Sequence, residues 1–231
     1  MTKRELSRGK CAFCGDEFSG PGMSRHLAAC PARKRALEAE EASGGTTGRL
    51  FHLYVKGTYW PGQWLHLEVP ASATLLELDR FLRDIWLECC GHMSMFRIGD
   101  MHYISDLSFG WWNDDDVEMA DFTLGQVLEQ GLEFTYEYDF GTSTDLTLRV
   151  VSERQGVVDH GEEVVRLMGR NDLFDFRCDE CEKPATVICS FCDYTLLCDA
   201  CSESHSCGDE GFLPVVNSPR MGMCGYTGDV W

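Results

Sequence analysis

Leu50-Phe51-His52-Leu53-Tyr54-Val55, then Trp60-Pro61-Gly62, then Trp64-Leu65-His66-Leu67-Glu68-Val69: two short apolar and aromatic runs around a proline–glycine turn predict a pair of strands. Thr74 follows, and Glu77 three residues on completes a capping box, so a helix begins there. Leu75, Leu78, Phe81, Leu82, Ile85 and Trp86 recur at helical spacing and would pack on the sheet. Asp79/Arg83 and Arg80/Asp84 stand four apart and fall on the helix's outer side. Beyond it, short strands are expected around residues 95–98 and 101–104. A loop carrying Trp111, Trp112 and Asp114-Asp115-Asp116 leads to a short helix near 124–129, opened by Thr123 and Gln126. Strands at 133–138 and 146–151 close the unit. The order β-β-α-β-β, short α, β-β predicts an α+β core, β-grasp-like, over residues 49–152.

Cysteines dominate both flanks of this core. At the N-terminal side stand Cys11-x-x-Cys14, then His26 and, with three residues between, Cys30. Three thiolates and an imidazole satisfy tetrahedral zinc, and His26 and Cys30 lie one helical turn apart. Phe18, between the ligand pairs, is placed to cover the metal. At the C-terminal side the pairs Cys178/Cys181, Cys189/Cys192 and Cys198/Cys201 are followed by His205 and Cys207. Eight ligands make two tetrahedra, and alternating pairs favour a cross-brace. Cys178, Cys181, Cys198 and Cys201 would hold one ion, and Cys189, Cys192, His205 and Cys207 the other. Cys207 stands only two residues after His205, and Cys224 is the rival eighth ligand. Three zinc ions are therefore expected. Cys89-Cys90, after the first helix, reads as a buried thiol pair. The predicted layout is a finger over 1–35, a linker over 36–48, the core, a connector over 153–172 and a two-zinc module over 173–231.

Charge narrows the function. Residues 1–35 hold eight Lys/Arg against Glu5, Asp16 and Glu17, a net of +5, so the rest carries −23 of the total −18. An acidic body repels phosphate backbones, which leaves Arg4, Arg8, Lys10, Arg25, Arg33, Lys34 and Arg35 as the candidate nucleic-acid contacts. No run of about 18 apolar residues predicts a membrane span. The first residues lack an apolar signal core, so a cytoplasmic chain with reduced thiols is expected, and metal explains thirteen cysteines better than disulfides do. A catalytic zinc keeps one position for water, whereas each set here offers four protein ligands, and neither a deaminase nor a His-Glu-x-x-His pattern occurs. Asp139-Phe140-Gly141 has no kinase context around it and reads as a turn, Gly141 giving it freedom. His52, His66, His92, His102 and His160 have no partner at ligand spacing.

Several motifs carry resemblances. Cys11-x-x-Cys14-Gly15-x-x-Phe18 with His26-Leu27-x-x-Cys30 resembles small fingers of which some bind nucleic acid and some ubiquitin. The C-terminal ligand spacing resembles the B-box finger, a protein-interaction module. Tyr138-Asp139-Phe140-Gly141, with Leu67-Glu68-Val69-Pro70, Thr74-Leu75, Leu78 and Gly99-Asp100-Met101-His102-Tyr103, resembles the plasmid ORF-three-like family of the pRiA type, also known as insertion-element passenger proteins. Val216-Asn217-Ser218-Pro219-Arg220 and Cys224-Gly225-Tyr226 are similar to the ending of cysteine-rich tails in some of its members. That resemblance implies an architecture more than an activity.

The expectation that follows is a non-enzymatic, zinc-binding adaptor with a protein partner. Its alternatives are a nucleic-acid accessory factor acting through residues 1–35 and an enzyme using the acidic loop or the end of the 133–138 strand.

Overall fold

The computed structural model describes residues 7–108, 113, 115–158 and 164–228. It is a mixed α+β chain, largely sheet, and it divides into two compact units. One comprises residues 1–81 and 93–172, the other 82–92 and 173–231.

Among the described residues the first unit is built on ten strands, with four helices among them. In chain order these are β1 (Arg8–Cys11), β2 (Glu17–Ser19), α1 (Gly20–Ala29), α2 (Pro31–Ser43), β3 (Thr47–Gly57), β4 (Trp64–Pro70), α3 (Leu75–Leu82), β5 (Ser94–Ile98), β6 (Met101–Ile104), β7 (Asp116–Glu118), α4 (Leu124–Val127), β8 (Glu133–Tyr138), β9 (Thr144–Val157) and β10 (Arg166–Asn171). They form one sheet in the order β2-β1-β10-β4-β3-β9-β8-β5-β6-β7, antiparallel except for β6 beside β7. The predicted hairpin is its centre, with Leu53 opposite Leu67 in register. Residues 153–172 carry the end of β9 and all of β10. Because β10 sits between β1 and β4, the finger's first strand is hydrogen-bonded into the sheet. Gly9 makes this possible, since a Cβ there would come within 1.9 Å of the Arg170 carbonyl oxygen.

Alternation explains what each face of β4 does. Leu65, Leu67 and Val69 point one way into the core. Trp64, His66 and Glu68 point the other way, yet all are buried, because α1 and α2 cover them. Trp64 packs with Met23, Leu27, Cys11, Cys30 and Met168. The His66 Nε2–H donates to the Gly20 carbonyl (2.9 Å), so its Nδ1 accepts from His52 Nε2 at 2.8 Å. Glu68 accepts from Arg33 (2.7 Å) and from two nitrogens of Arg154 (2.9 and 2.6 Å), with Arg166 3.6 Å away. The two histidines read as partnerless are thus partners of each other.

Both capping boxes form. The Thr74 N–H donates to Glu77 Oε2 (2.7 Å) and the Thr123 N–H to Gln126 Oε1 (2.7 Å). Leu75, Leu78 and Leu82 are buried as their spacing predicts. Asp79 corrects the reading of an outer charged face, for it is buried and accepts from the Ser94 hydroxyl (2.5 Å) and the Tyr136 hydroxyl (2.8 Å). Regular α-helix ends at Leu82, and Arg83–Leu87 continues as a π-helical turn.

The second unit has little regular structure: β11 (Val187–Cys189), β12 (Thr195–Leu197), α5 (Asp199–Ser202) and β13 (Phe212–Pro214), with the sheet order β12-β11-β13. Its small core joins Cys178, Leu197 and Cys198 with Val187, Cys201 and Phe212. The segment 82–92 belongs here, the Ser218 hydroxyl donating to the Trp86 carbonyl at 2.6 Å. Among the described residues no helix is long and apolar enough to cross a membrane.

Candidate metal centres

The N-terminal set is shaped by a knuckle and a helix. Cys11 ends β1, and the Gly15 N–H donates back to the Cys11 carbonyl (2.9 Å), closing a turn that brings Cys14 beside it. Gly15 lies at φ +79, a left-handed position suited to glycine. His26 stands in the last turn of α1, and Cys30 is the residue between α1 and α2. The four ligand atoms of Cys11, Cys14, His26 and Cys30 lie within 4.8 Å of one another. Phe18 stacks on the His26 ring, centroids 3.9 Å apart, which fixes the imidazole's orientation. Burial alone would raise the Cys30 thiol, but the backbone N–H groups of Arg33 and Ala32 in the first turn of α2 outweigh it and lower its pKa.

Two further sets lie in the second unit. Cys178, Cys181, Cys198 and Cys201 converge in one, and Cys189, Cys192, His205 and Cys207 in the other, each within 4.8 Å. The chain alternates between them as a cross-brace does. Glu182 (φ +60) and Asp193 (φ +51) follow the second cysteine of their pairs in the left-handed region, as Gly15 does in the finger. Burial would raise Cys178, yet the backbone N–H groups of Cys198, Glu180 and Cys181 bring it down to about 6, an environment made for a thiolate. His205 turns its Nε2 to Cys192 Sγ (3.0 Å) and its Nδ1 toward the Glu180 carboxylate (3.8 Å), an orientation that suits a metal-bound imidazole.

A fourth set escaped sequence reasoning. Cys89, Cys90, His92 and Cys224, all in the second unit, bring their ligand atoms within 4.8 Å. Cys90 is exposed and Cys89 half-buried, which corrects the expectation of a buried thiol pair. Cys224 joins this set rather than the one containing His205. The only sequence signal was the Cys-Cys-x-His string itself, because its fourth member lies 132 residues beyond His92. Every thiol is free of disulfide bonding, and every cysteine of the chain falls in one of the four sets. Together these are four Cys/His clusters compatible with metal ions.

The remaining candidates scatter. Arg4 and the Trp111-Trp112, Asp114 and His160 positions lie outside the described residues. Arg33 is committed to Glu68 and to the Leu27 carbonyl (3.1 Å). Arg8 reaches the Glu17 carbonyl (2.8 Å), and Lys34 lies 3.9 Å from Glu38. Lys10, Arg25 and Arg35 are exposed. In the first unit an open cavity of about 320 Å³ is lined by Met95, Arg97, His102, Ile104, Asn113, Asp116, Glu137 and Phe140. Its charges are paired: His102 Nδ1 meets Asp116 at 3.0 Å, and Arg97 meets Glu137 at 2.8 Å. The Asn113 N–H, and then His102, hold the Asp116 carboxyl below its ordinary range. His102 therefore has a partner that spacing alone did not suggest. In the neighbouring turn it is Asp139, not Gly141, that adopts the left-handed conformation (φ +65). Its carboxylate accepts from the Gly141 (3.0 Å) and Thr142 (3.2 Å) N–H groups.

Fold and sites define a mixed α+β chain, rich in sheet, with cysteine–histidine sets suited to metal. Residues 58–172 match the model of the family described as plasmid pRiA4b ORF-3-like protein, and this supports the family assignment for that stretch. The match runs past residue 152 and takes in β10, the strand that receives the finger. Among solved structures, one described as a protein of unknown function from Methanosarcina mazei Go1 is similar at 19% identity and a TM-score of 0.41, over 54% of this chain and 68% of that one. A comparison with curated proteins finds no match.

Proposed function

We propose that this chain is a cytoplasmic, non-enzymatic adaptor, with a β-grasp-like core, whose zinc ions hold small docking modules in shape: a three-cysteine, one-histidine finger and a B-box-like cross-brace. The observation that carries it is the convergence of Cys11/Cys14/His26/Cys30, Cys178/Cys181/Cys198/Cys201 and Cys189/Cys192/His205/Cys207 into complete sets of four. A closed, thiolate-rich shell leaves no coordination position for a substrate or water, and it blunts the metal's Lewis acidity. Residues 173–228 have a very small apolar core, so metal binding supplies folding free energy there. The test is affinity capture with the metal-loaded full chain and, beside it, the chain stripped by chelator. A protein partner retained in stoichiometric amount by the loaded chain alone fits the proposal. Capture unaffected by metal, or no partner at all, contradicts it.

A second reading rests on Lys10, Arg25 and Arg35, which stay exposed on a finger of net positive charge while the rest of the chain is acidic. As a nucleic-acid accessory factor of mobile elements, the chain would bind through these residues with an affinity that falls steeply with salt. Charge reversal at Lys10, Arg25 and Arg35 would abolish such binding, and salt-independent binding would exclude it.

A further inference from the structure

The fourth cysteine–histidine set shares no ligand with the other three and has a geometry of its own. Its edges are 3.7 Å between Cys89 Sγ and Cys90 Sγ and 3.8 Å between Cys90 Sγ and Cys224 Sγ. A tetrahedral zinc with Zn–S bonds of about 2.3 Å requires sulfurs about 3.8 Å apart. A disulfide would need about 2.05 Å. The His92 Nε2 lies 2.9 Å from Cys90 Sγ and 3.2 Å from Cys224 Sγ, closing the fourth corner.

The backbone is shaped to present these atoms. Gly91, at φ +78, turns the chain so that His92 comes back beside Cys90, and its N–H donates to Glu88 Oε1 at 2.5 Å. Cys224 sits at φ +47, a left-handed conformation that is unfavourable for a non-glycine residue and persists where the surroundings require it. Arg220 is fully buried and directs its Nη2 to Cys89 Sγ at 3.4 Å. Three thiolates and one imidazole around a divalent ion carry a net charge of −1, and a buried guanidinium is the counter-charge that such a site needs.

We propose that Cys89, Cys90, His92 and Cys224 form a fourth site for a thiophilic divalent ion, zinc, with Arg220 as its buried counter-ion. The ion fastens the C-terminal segment to residues 89–92 within the second unit. Cys90 and Cys224 are exposed, so a chelator can reach this ion from solvent, and it is the first of the four to leave. The site does not depend on the docking function.

Mass spectrometry after brief alkylation of the metal-loaded full chain tests this, because it reads each thiol separately. The expected result is four zinc ions per chain, with Cys89, Cys90 and Cys224 protected. Limited chelation should then expose these three while the other ten cysteines stay protected. Cys224→Ser should lower the count from four to three with those ten still protected. Immediate labelling of Cys89, Cys90 and Cys224 in the loaded wild-type chain, a disulfide among them, or an unchanged count in Cys224→Ser would overturn the proposal. Labelling at the other ten would instead count against the three-zinc reading.

Discussion

Single side chains here do work that their residue type hides. Glu68 lies on a strand whose neighbours are apolar, and sequence alone gives it no partner. In the structure it is buried under Arg33 and Arg154, with Arg166 nearby, and although burial would raise its carboxyl, the Arg154 and Arg33 contacts pull it down. Glu68→Ala should therefore destabilise the chain by about 3 kcal/mol or more, because it leaves partly buried guanidinium groups without their buried anion. Denaturant unfolding of the metal-loaded protein measures this, and a change below about 1 kcal/mol, the range of an exposed ion pair, would refute it. Arg33 shows the limit of charge reading, since it was counted among residues for phosphate but spends its charge inside the protein. Asp79 does the same on α3. Their sequence spacing gave no hint of a buried partner, because that partner arrives from a distant strand. The cysteine pairs are different: a C-x-x-C fixes its own geometry within four residues, so eight of the twelve expected ligands stand in locally legible pairs, and the sets of four that contain all twelve converge in the structure.

Among elements, the hairpin β3–β4 and the start of α3 were legible because periodicity and capping are local. Three features were not. The second face of β4 is covered by the finger's helices, β10 was read as connector, and the fourth metal set needs residues far apart in sequence. Long-range pairing leaves no periodic trace in either partner.

The histidine pair between β3 and β4 gives this scale its prediction. Burial, and then its partner His66, lowers His52 to about 3, and burial lowers His66 to about 4 despite the Gly20 carbonyl. Unfolded histidines titrate near about 6.5, so between about pH 6.5 and 4 the unfolded chain binds more protons than the folded one. The stability these groups permit is complete above about pH 6.5 and drains as the pH falls through that window. His52→Gln should flatten the dependence: between pH 7 and pH 5 the wild type should lose more stability than the variant, by about 1 kcal/mol or more. Metal loss on acidification affects both proteins, so the difference reports the pair, and parallel curves would contradict the account.

For the whole molecule, thirteen thiols with no disulfide and four convergent sets outweigh any other feature. The match to the plasmid ORF-3-like family covers residues 58–172 and therefore none of the proposed zinc ligands at either flank. What the flanks do rests on their own chemistry. The net charge of −18 counts every thiol as neutral; a divalent ion held by three thiolates and an imidazole would change it by −1, and one held by four thiolates by −2, so metal loading would leave the chain more acidic. X-ray absorption at the zinc edge, on full-length protein purified without added zinc, reads that chemistry directly. The account predicts four-coordinate zinc in a shell dominated by sulfur at about 2.3 Å, with a minority of imidazole nitrogen. A shell dominated by oxygen and nitrogen, a bound water in most sites, or no zinc in the protein would contradict it.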